Sequence, residues 1–308
     1  MTVFIHVPKT AGTTVRSVIR TSEPGDRSQR PGPNVFKGAG GADPKTLERL
    51  RDAPHTLSLD GVRVLLGHQP FGISEYLERA FPEREFRYFT FLRDPVERSV
   101  SHYFEVLRQP RRVFEDGEPG DELAPLPPGT TFHDAVKAGY LHDNLQTRML
   151  SGVEPFGPVT DDMLERAKRN VRDRFALVGL TERLDESLVL AKQRLGFRSI
   201  LVASQRVNTN RPRGSEVPEE VRGAAERHNR YDIELYRYAR TLFERVPERS
   251  QLEFQVELAA LRAAQANGDR LPPAPAQFHG GQREWRMLLD ARTALLRLER
   301  ARKQGKRG

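Results

Sequence analysis

The segment that most constrains this chain is residues 2 to 14, TVFIHVPKTAGTT. Val3-Phe4-Ile5-His6-Val7 is a short β-branched and aromatic run and reads as a buried strand. Pro8 stops it, and Val15, Val18 and Ile19 then recur at helical spacing. Strand, loop and helix in this order gather backbone N–H groups into an anion cradle, because a helix N-terminus leaves its first donors free and adds partial positive charge. Lys9 brings a full charge, and Gly12 lets an oxyanion approach the backbone closely. Thr13 and Thr14 can cap the helix and donate hydroxyl bonds. An ATP-type phosphate loop places its Lys after the second Gly. Here Lys9 precedes Gly12 and no Gly opens the loop, which argues against an ordinary ATPase or GTPase. The plain alternative is a strand turning into a capped helix, with Lys9 solvated.

A second segment, FRYFTFLRDPVERSVSHYF at residues 86 to 104, repeats the pattern. Phe86 to Leu92 reads as another strand, Arg93 and Asp94 end it, and Pro95 suits the first turn of a helix. Arg93 at the strand end and Ser101 on the helix can converge on one phosphate, the Arg as a planar fork and the Ser as a hydroxyl donor. Two anion sites on neighbouring strand ends imply one ligand with two anionic groups.

These two segments together resemble the sulfotransferases that use 3′-phosphoadenosine 5′-phosphosulfate (PAPS). Pro8-Lys9-Thr10 with Ala11-Gly12-Thr13-Thr14 is similar to their 5′-phosphosulfate loop, and Arg93 with Ser101 to their 3′-phosphate site. Residues 143 to 150 (DNLQTRML) and 178 to 188 (VGLTERLDESL) resemble the carbohydrate-type branch, which includes heparan sulfate 2-O- and 6-O-sulfotransferase relatives and many bacterial proteins. The resemblance covers roughly residues 1 to 245. It implies PAPS as sulfuryl donor, no metal, and a hydroxyl-bearing acceptor, a sugar or glycan. The small-molecule branch usually lacks one of the two residues that stand here between Lys9 and Gly12.

Composition bounds the rest. With 308 residues, 30% charged and a mean hydropathy of −0.63, the chain is expected to be soluble. No run of eighteen apolar residues predicts a membrane span, and the N-terminus enters a strand at once, without a signal-peptide pattern. The resemblance implies a Golgi anchor in animal members of the branch; none is expected for this chain. There are no cysteines, so no disulfides are expected and a cytoplasmic setting fits. The preference for Arg over Lys suggests a GC-rich bacterium. Net charge is +8, but residues 283 to 308 hold nine Lys or Arg against three Asp or Glu, leaving the remainder at only +2. The basicity belongs to the tail and gives no reason to expect a nucleic-acid partner.

Strands alternating with helices predict an α/β class: a P-loop-like three-layer fold, with a mostly parallel central sheet flanked by helices and a C-terminal helical extension. Further strands are expected at 62–66 and 175–180. Helices are expected at 44–52, 131–139, 142–151, 161–172, 182–195, 218–245 and 249–265. Pro- and Gly-rich loops are expected at 22–43 and 109–130. Residues 1–265 form the expected PAPS-binding domain, 266–282 a linker, and 283–308 a basic amphipathic helix. That last helix allows docking on the body, homodimer formation, or contact with an anionic surface.

Sulfuryl transfer needs charge on the leaving phosphate, an in-line acceptor and a base for the acceptor proton. Lys9 is assigned the bridging oxygen, the amides near Gly12 with Thr13 and Thr14 the 5′ phosphate, and Arg93 with Ser101 the 3′ phosphate. His68, in Gly67-His68-Gln69-Pro70 after the third strand, is the expected general base, with His6 next in line. A structural His bonded to a backbone carbonyl is the plain alternative for His68. Asn144, Gln146 and Arg148 are candidate acceptor contacts, although 146 cannot share a helix face with 144 and 148. Glu182 and Arg183 read as a cap and a surface charge. The basic stretch with Arg206, Asn208, Asn210, Arg211 and Arg213 reads either as a flap over the nucleotide or as a solvated loop. Two other functions remain open on sequence: an ATP-dependent phosphotransferase using Thr10 and Asp94 with Mg²⁺, and a non-catalytic nucleotide-binding module.

Overall fold

The computed structural model describes residues 1–22, 59, 63–108, 126–127, 129–152, 157–197, 200 and 216–266. The helix expected at 44–52, most of the two Pro- and Gly-rich loops, the basic stretch before 216, and the linker and tail helix beyond 266 lie outside these residues.

Four strands, β1 (Thr2–Ile5), β2 (Val64–Gly67), β3 (Arg87–Leu92) and β4 (Phe175–Leu180), form one sheet in the order β2-β1-β3-β4. Every pairing is parallel. The described helices are α1 (Gly12–Ser22), α2 (Ile73–Ala80), α3 (Pro95–Arg108), α4 (Phe132–Lys137), α5 (Leu145–Ser151), α6 (Asp161–Asp173), α7 (Leu184–Leu195), α8 (Glu219–His228), α9 (Arg230–Glu244) and α10 (Leu252–Ala266). The α/β class and the parallel sheet flanked by helices are as the sequence implies.

Two compact units divide the chain. The first comprises residues 1–12, 28–182 and 208–244; the second comprises 13–27, 183–207 and 245–308. The first holds the sheet, α2 to α6, α8 and α9. Its strands are apolar on both faces, as parallel strands covered by helices must be. Phe4 and Phe89 stack at 4.7 Å between ring centroids, and Phe91 meets Phe4 edge-on at 6.3 Å. Helices α6 and α9 pack on β4. A further apolar cluster joins Val100 and Tyr103 of α3 to Phe132 and Ala135 of α4 and Ala224 of α8. In the second unit α7 packs on α10, and Leu188 and Ala191 of α7 and Leu258 and Leu261 of α10 are buried. There Lys192 pairs with Glu257 at 3.1 Å and Arg194 with Glu248 at 2.8 Å.

Three local differences from the sequence reading matter. β1 ends at Ile5, which releases His6 and Val7 into the loop. The helix expected over 218–245 is two helices broken at Asn229, whose side chain turns inward to meet Asn144. Helix α2 was not expected, although Ile73 and Leu77, one turn apart, are both buried.

Candidate active site

The strand order sets the site. From β1 the chain crosses to β2 on one side, and from β3 it crosses to β4 on the other. The loops after β1 and β3 therefore diverge, and an open parallel sheet binds ligands in the crevice at that switch point, beyond the carboxyl ends of the strands. The sequence places Lys9 after β1, Arg93 after β3 and His68 after β2, at the carboxyl ends of three adjacent strands.

The loop after β1 is a constrained turn. Lys9 (φ 70°) and Ala11 (φ 59°) both adopt left-handed backbone conformations, uncommon for residues with a Cβ. Alternating backbone handedness of this kind is the pattern from which anion-binding nests are built. Such conformations cost about 1–3 kcal/mol each and persist where the surroundings fix them. Here the fully buried Thr10 hydroxyl donates to the Val7 carbonyl at 2.8 Å, and Thr90 Oγ1 donates to the Ile5 carbonyl at 2.7 Å. The His6 N–H donates to the Gly67 carbonyl at 2.9 Å, and Arg93 Nη1 donates to the Lys9 carbonyl at 3.3 Å. Thr13 is exposed and Thr14 half-buried in the first turn of α1.

The Thr10 and Asp94 arrangement bears on the metal-dependent alternative. The Thr10 hydroxyl is committed to Val7, and an Asp94 carboxylate oxygen caps α3 by accepting the Glu97 N–H at 3.0 Å. Both groups that an ATP phosphotransferase would turn toward Mg²⁺ are engaged inside the fold. Among the described residues, no group of three or more His, Cys, Asp or Glu is placed to hold a metal.

The two cations each face a carboxylate from α3. Lys9 Nζ lies 3.0 Å from Glu105 Oε2, and Arg93 Nη2 lies 3.8 Å from Glu97 Oε2. Ser101, on the same helix, is buried. Arg98, one turn before His102 on α3, is almost completely buried, and its Nη2 donates to Ser99 at 2.9 Å. Its Nε and Nη1 have no hydrogen-bond partner among the described residues. Burial lowers its pKa, and the buried Asp232 carboxylate opposes that shift.

His68 is half-buried, and its Nδ1 lies 2.8 Å from the His6 carbonyl. A carbonyl accepts only, so Nδ1 carries the hydrogen and the neutral ring keeps its lone pair on Nε2. This backbone bond is the feature of the plain structural alternative for His68, and it also fixes the tautomer that a general base would need. The His6 ring is buried, 4.2 Å from that of His68 and 5.2 Å from that of Phe4. It also abuts Gly12: a Cβ at that position would come within 1.7 Å of His6 Nε2.

The candidate acceptor contacts are used internally. Asn144 Oδ1 accepts from the N–H groups of Tyr231 and Asp232. The Arg148 guanidinium donates to Asp143 and to the Gly157 carbonyl. Gln146, fully buried, bonds both the N–H and the C=O of Arg93, each at 3.0 Å. Glu182 is exposed, and it also accepts the Asp94 N–H at 2.8 Å and the Tyr236 hydroxyl at 2.6 Å. Burial together with that carboxylate pushes the Tyr236 phenol far up, keeping it a donor. Sequence reasoning missed Glu105, Glu97 and Asp232: Glu105 and Asp232 meet partners far away along the chain, whereas Glu97 lies only four residues from Arg93.

A cradle of this form, with a Lys and an Arg at the switch point and a tautomer-fixed His on the neighbouring strand end, suits transfer of an anionic group. Residues 2–271 match the galactose-3-O-sulfotransferase family. The chain belongs to that family. Among curated proteins it is 31% identical over 191 residues to heparan-sulfate 6-O-sulfotransferase 2 of Danio rerio, covering 54% of this chain and 40% of that protein. It is 32% identical over 196 residues to heparan-sulfate 6-O-sulfotransferase 1 of Homo sapiens, covering 56% of this chain and 46% of that protein. The chain thus matches less than half the length of these relatives. Both are animal proteins, and no described helix of this chain is long and apolar enough to cross a membrane.

Proposed function

We propose that this family member is a PAPS-dependent O-sulfotransferase that sulfates a carbohydrate hydroxyl. The observation that carries the reading is the meeting of Lys9 and Arg93 across the β1–β3 switch point, with His68 at the carboxyl end of β2. The residues fit the donor. The reading is supported by two left-handed backbone positions in the loop after β1, where the His6 ring fills the space beside Gly12, and it assigns the second anion site to Arg93 with Ser101. In this reading His68 Nε2 takes the proton from the acceptor hydroxyl as its oxygen bonds to sulfur. The sulfur–oxygen bond to the 5′-phosphate breaks, and Lys9 stabilises the charge that grows on that phosphate. The relatives' names make heparan sulfate and galactosides the first acceptors to try. A cytoplasmic, bacterial setting belongs to the same proposal, supported by a cysteine-free, Arg-rich composition.

Thermal shift tests the donor. 3′-Phosphoadenosine 5′-phosphate at a hundred times its Kd stabilises by about 2.7 kcal/mol, and EDTA leaves this unchanged. Stabilisation by ATP with Mg²⁺ but not by 3′-phosphoadenosine 5′-phosphate sinks the reading. Transfer of ³⁵S from labelled donor to a glycan panel tests the acceptor class.

A further inference from the structure

We infer that Gln146 is a positioning residue for Arg93 and thereby sets the preference for a 3′-phosphorylated nucleotide; this rests on the donor reading above. Leu92, paired with Leu180, is the last β3 residue in the ladder. Among the described residues no strand pairs with the backbone of Arg93 beyond it. The Gln146 carboxamide takes the place of a strand, since its C=O accepts the Arg93 N–H and its NH₂ donates to the Arg93 C=O. A side-chain amide offers the same donor and acceptor as a peptide unit. The pins continue on either side: Thr181 Oγ1 donates to the Leu92 carbonyl at 3.0 Å, and Glu182 accepts the Asp94 N–H. Three consecutive residues at the end of β3 are held by side chains from elsewhere in the chain.

Gln146 is itself fixed. Its N–H and that of Thr147 donate to the two carboxylate oxygens of Asp232, at 3.0 and 2.7 Å, so Asp232 of α9 caps α5. Asp232 is fully buried, and Asn144 anchors the same junction by accepting from the Tyr231 and Asp232 amides. The start of α9 therefore positions the start of α5, which positions the backbone that carries the Arg93 guanidinium. A bidentate clasp on main chain denies the Arg93 Cα freedom to drift without engaging the guanidinium, which meets the Lys9 carbonyl and Glu97. A guanidinium reads a phosphate through directed bonds, so its selectivity depends on that placement.

The test measures affinity for 3′-phosphoadenosine 5′-phosphate and for adenosine 5′-phosphate on the full chain. In the unsubstituted protein the first binds far more tightly, and Arg93→Ala collapses the ratio. Gln146→Met keeps volume and removes both bonds; the ratio is expected to fall about tenfold, with adenosine 5′-phosphate affinity unchanged. Gln146→Glu keeps the acceptor for the Arg93 N–H and loses the donor to its C=O, and gives an intermediate fall even if the Met variant folds poorly. A purely structural defect lowers both affinities alike and leaves the ratio intact. An unchanged ratio in both Gln146 variants, beside a collapsed ratio in Arg93→Ala, overturns the inference and spares the donor reading. No 3′-phosphate preference in the unsubstituted protein overturns both.

Discussion

Gly12→Ala is a sharp perturbation of this site, because its consequence follows from three distances. The added methyl would fall 1.7 Å from His6 Nε2, 2.2 Å from Cε1 and 2.6 Å from Cδ2. Real carbon contacts lie near 3.5–4.0 Å, so the ring must move by more than an ångström. It has little room, being buried with Phe4 and His68 as ring neighbours. Inserting a methyl into a packed site typically costs about 1–3 kcal/mol. For a chain of this size that is roughly 2–12 °C in Tm. The displaced ring presses on His68, which also bonds the His6 backbone, so kcat should fall about a hundredfold for a shift of about 1 Å. Differential scanning fluorimetry and initial rates on Gly12→Ala, His6→Ala and the double variant measure both effects. The double variant should be more stable than Gly12→Ala alone by at least about 1 kcal/mol, because the smaller side chain makes room for the methyl. A Gly12→Ala enzyme with unchanged Tm and kcat, or a double variant no more stable than the single, refutes the reasoning.

His68→Ala should lose at least about a hundredfold in kcat with nucleotide affinity retained; isothermal titration beside steady-state rates checks this, and a small loss moves the base elsewhere. Arg93→Ala should weaken donor binding, whereas Lys9→Ala should mainly lower kcat, because only the leaving oxygen gains charge in the transition state. Lys9→Ala with normal kcat and a raised KM reverses that assignment. Glu105→Gln frees Lys9 from an ion pair whose side chains are 26% and 40% exposed. Such a pair contributes about 0.2–1 kcal/mol, so 3′-phosphoadenosine 5′-phosphate should bind up to about fivefold more tightly, and weaker binding sinks the idea. In the second unit burial raises the Glu186 carboxyl, but hydrogen bonds from Arg183 and Arg249 outweigh it and leave the pKa depressed. Its stabilisation is present above the ordinary carboxylate range and is lost as pH falls through the folded value. The Tm gap between the unsubstituted protein and Glu186→Gln should therefore shrink on acidification, and a constant gap down to pH 3 contradicts the assignment.

How much of this was legible in the sequence divides by interaction range. The apolar β-branched runs located the four strands seen among the described residues, because burial in a parallel sheet demands continuous apolar character. Their ends shifted by one or two residues: β2 starts at Val64 rather than 62, and β1 stops at Ile5. Lys9, Gly12, Arg93 and His68 could be picked out because each follows an apolar run at a strand end. The supporting residues could not. Gln146 clasps Arg93 across 53 positions, and Asp232 reaches Gln146 across 86. No local period encodes such pairs. The motif that holds Asn144, Gln146 and Arg148 did stand out, but short polar side chains read the same whether they meet a ligand or the backbone. Only burial separates the two. The break at Asn229 is likewise a long-range effect, since the residue bends the chain to reach Asn144.

The charge arrangement bears on why a donor with two anionic groups suits this cradle better than one with a single phosphate. Lys9 faces Glu105, Arg93 faces Glu97, and Glu97 also lies 3.9 Å from Arg222. Each pair is partly solvated and individually weak, so neither holds its cation firmly. A ligand phosphate at either cation exchanges one carboxylate for another anion, and the net gain is small. A ligand that spans both sites exchanges both pairs while losing its translational freedom once. The second contact is then effectively intramolecular and contributes its full energy. On the proposed donor reading, selectivity for the doubly anionic nucleotide rests on the spacing between Lys9 and Arg93 more than on the strength of either contact. The Arg93 Nη1 bond to the Lys9 carbonyl ties the two sites together. Loosening the backbone of Arg93 should therefore cost more than a single phosphate contact, because it spoils the span on which the second exchange depends.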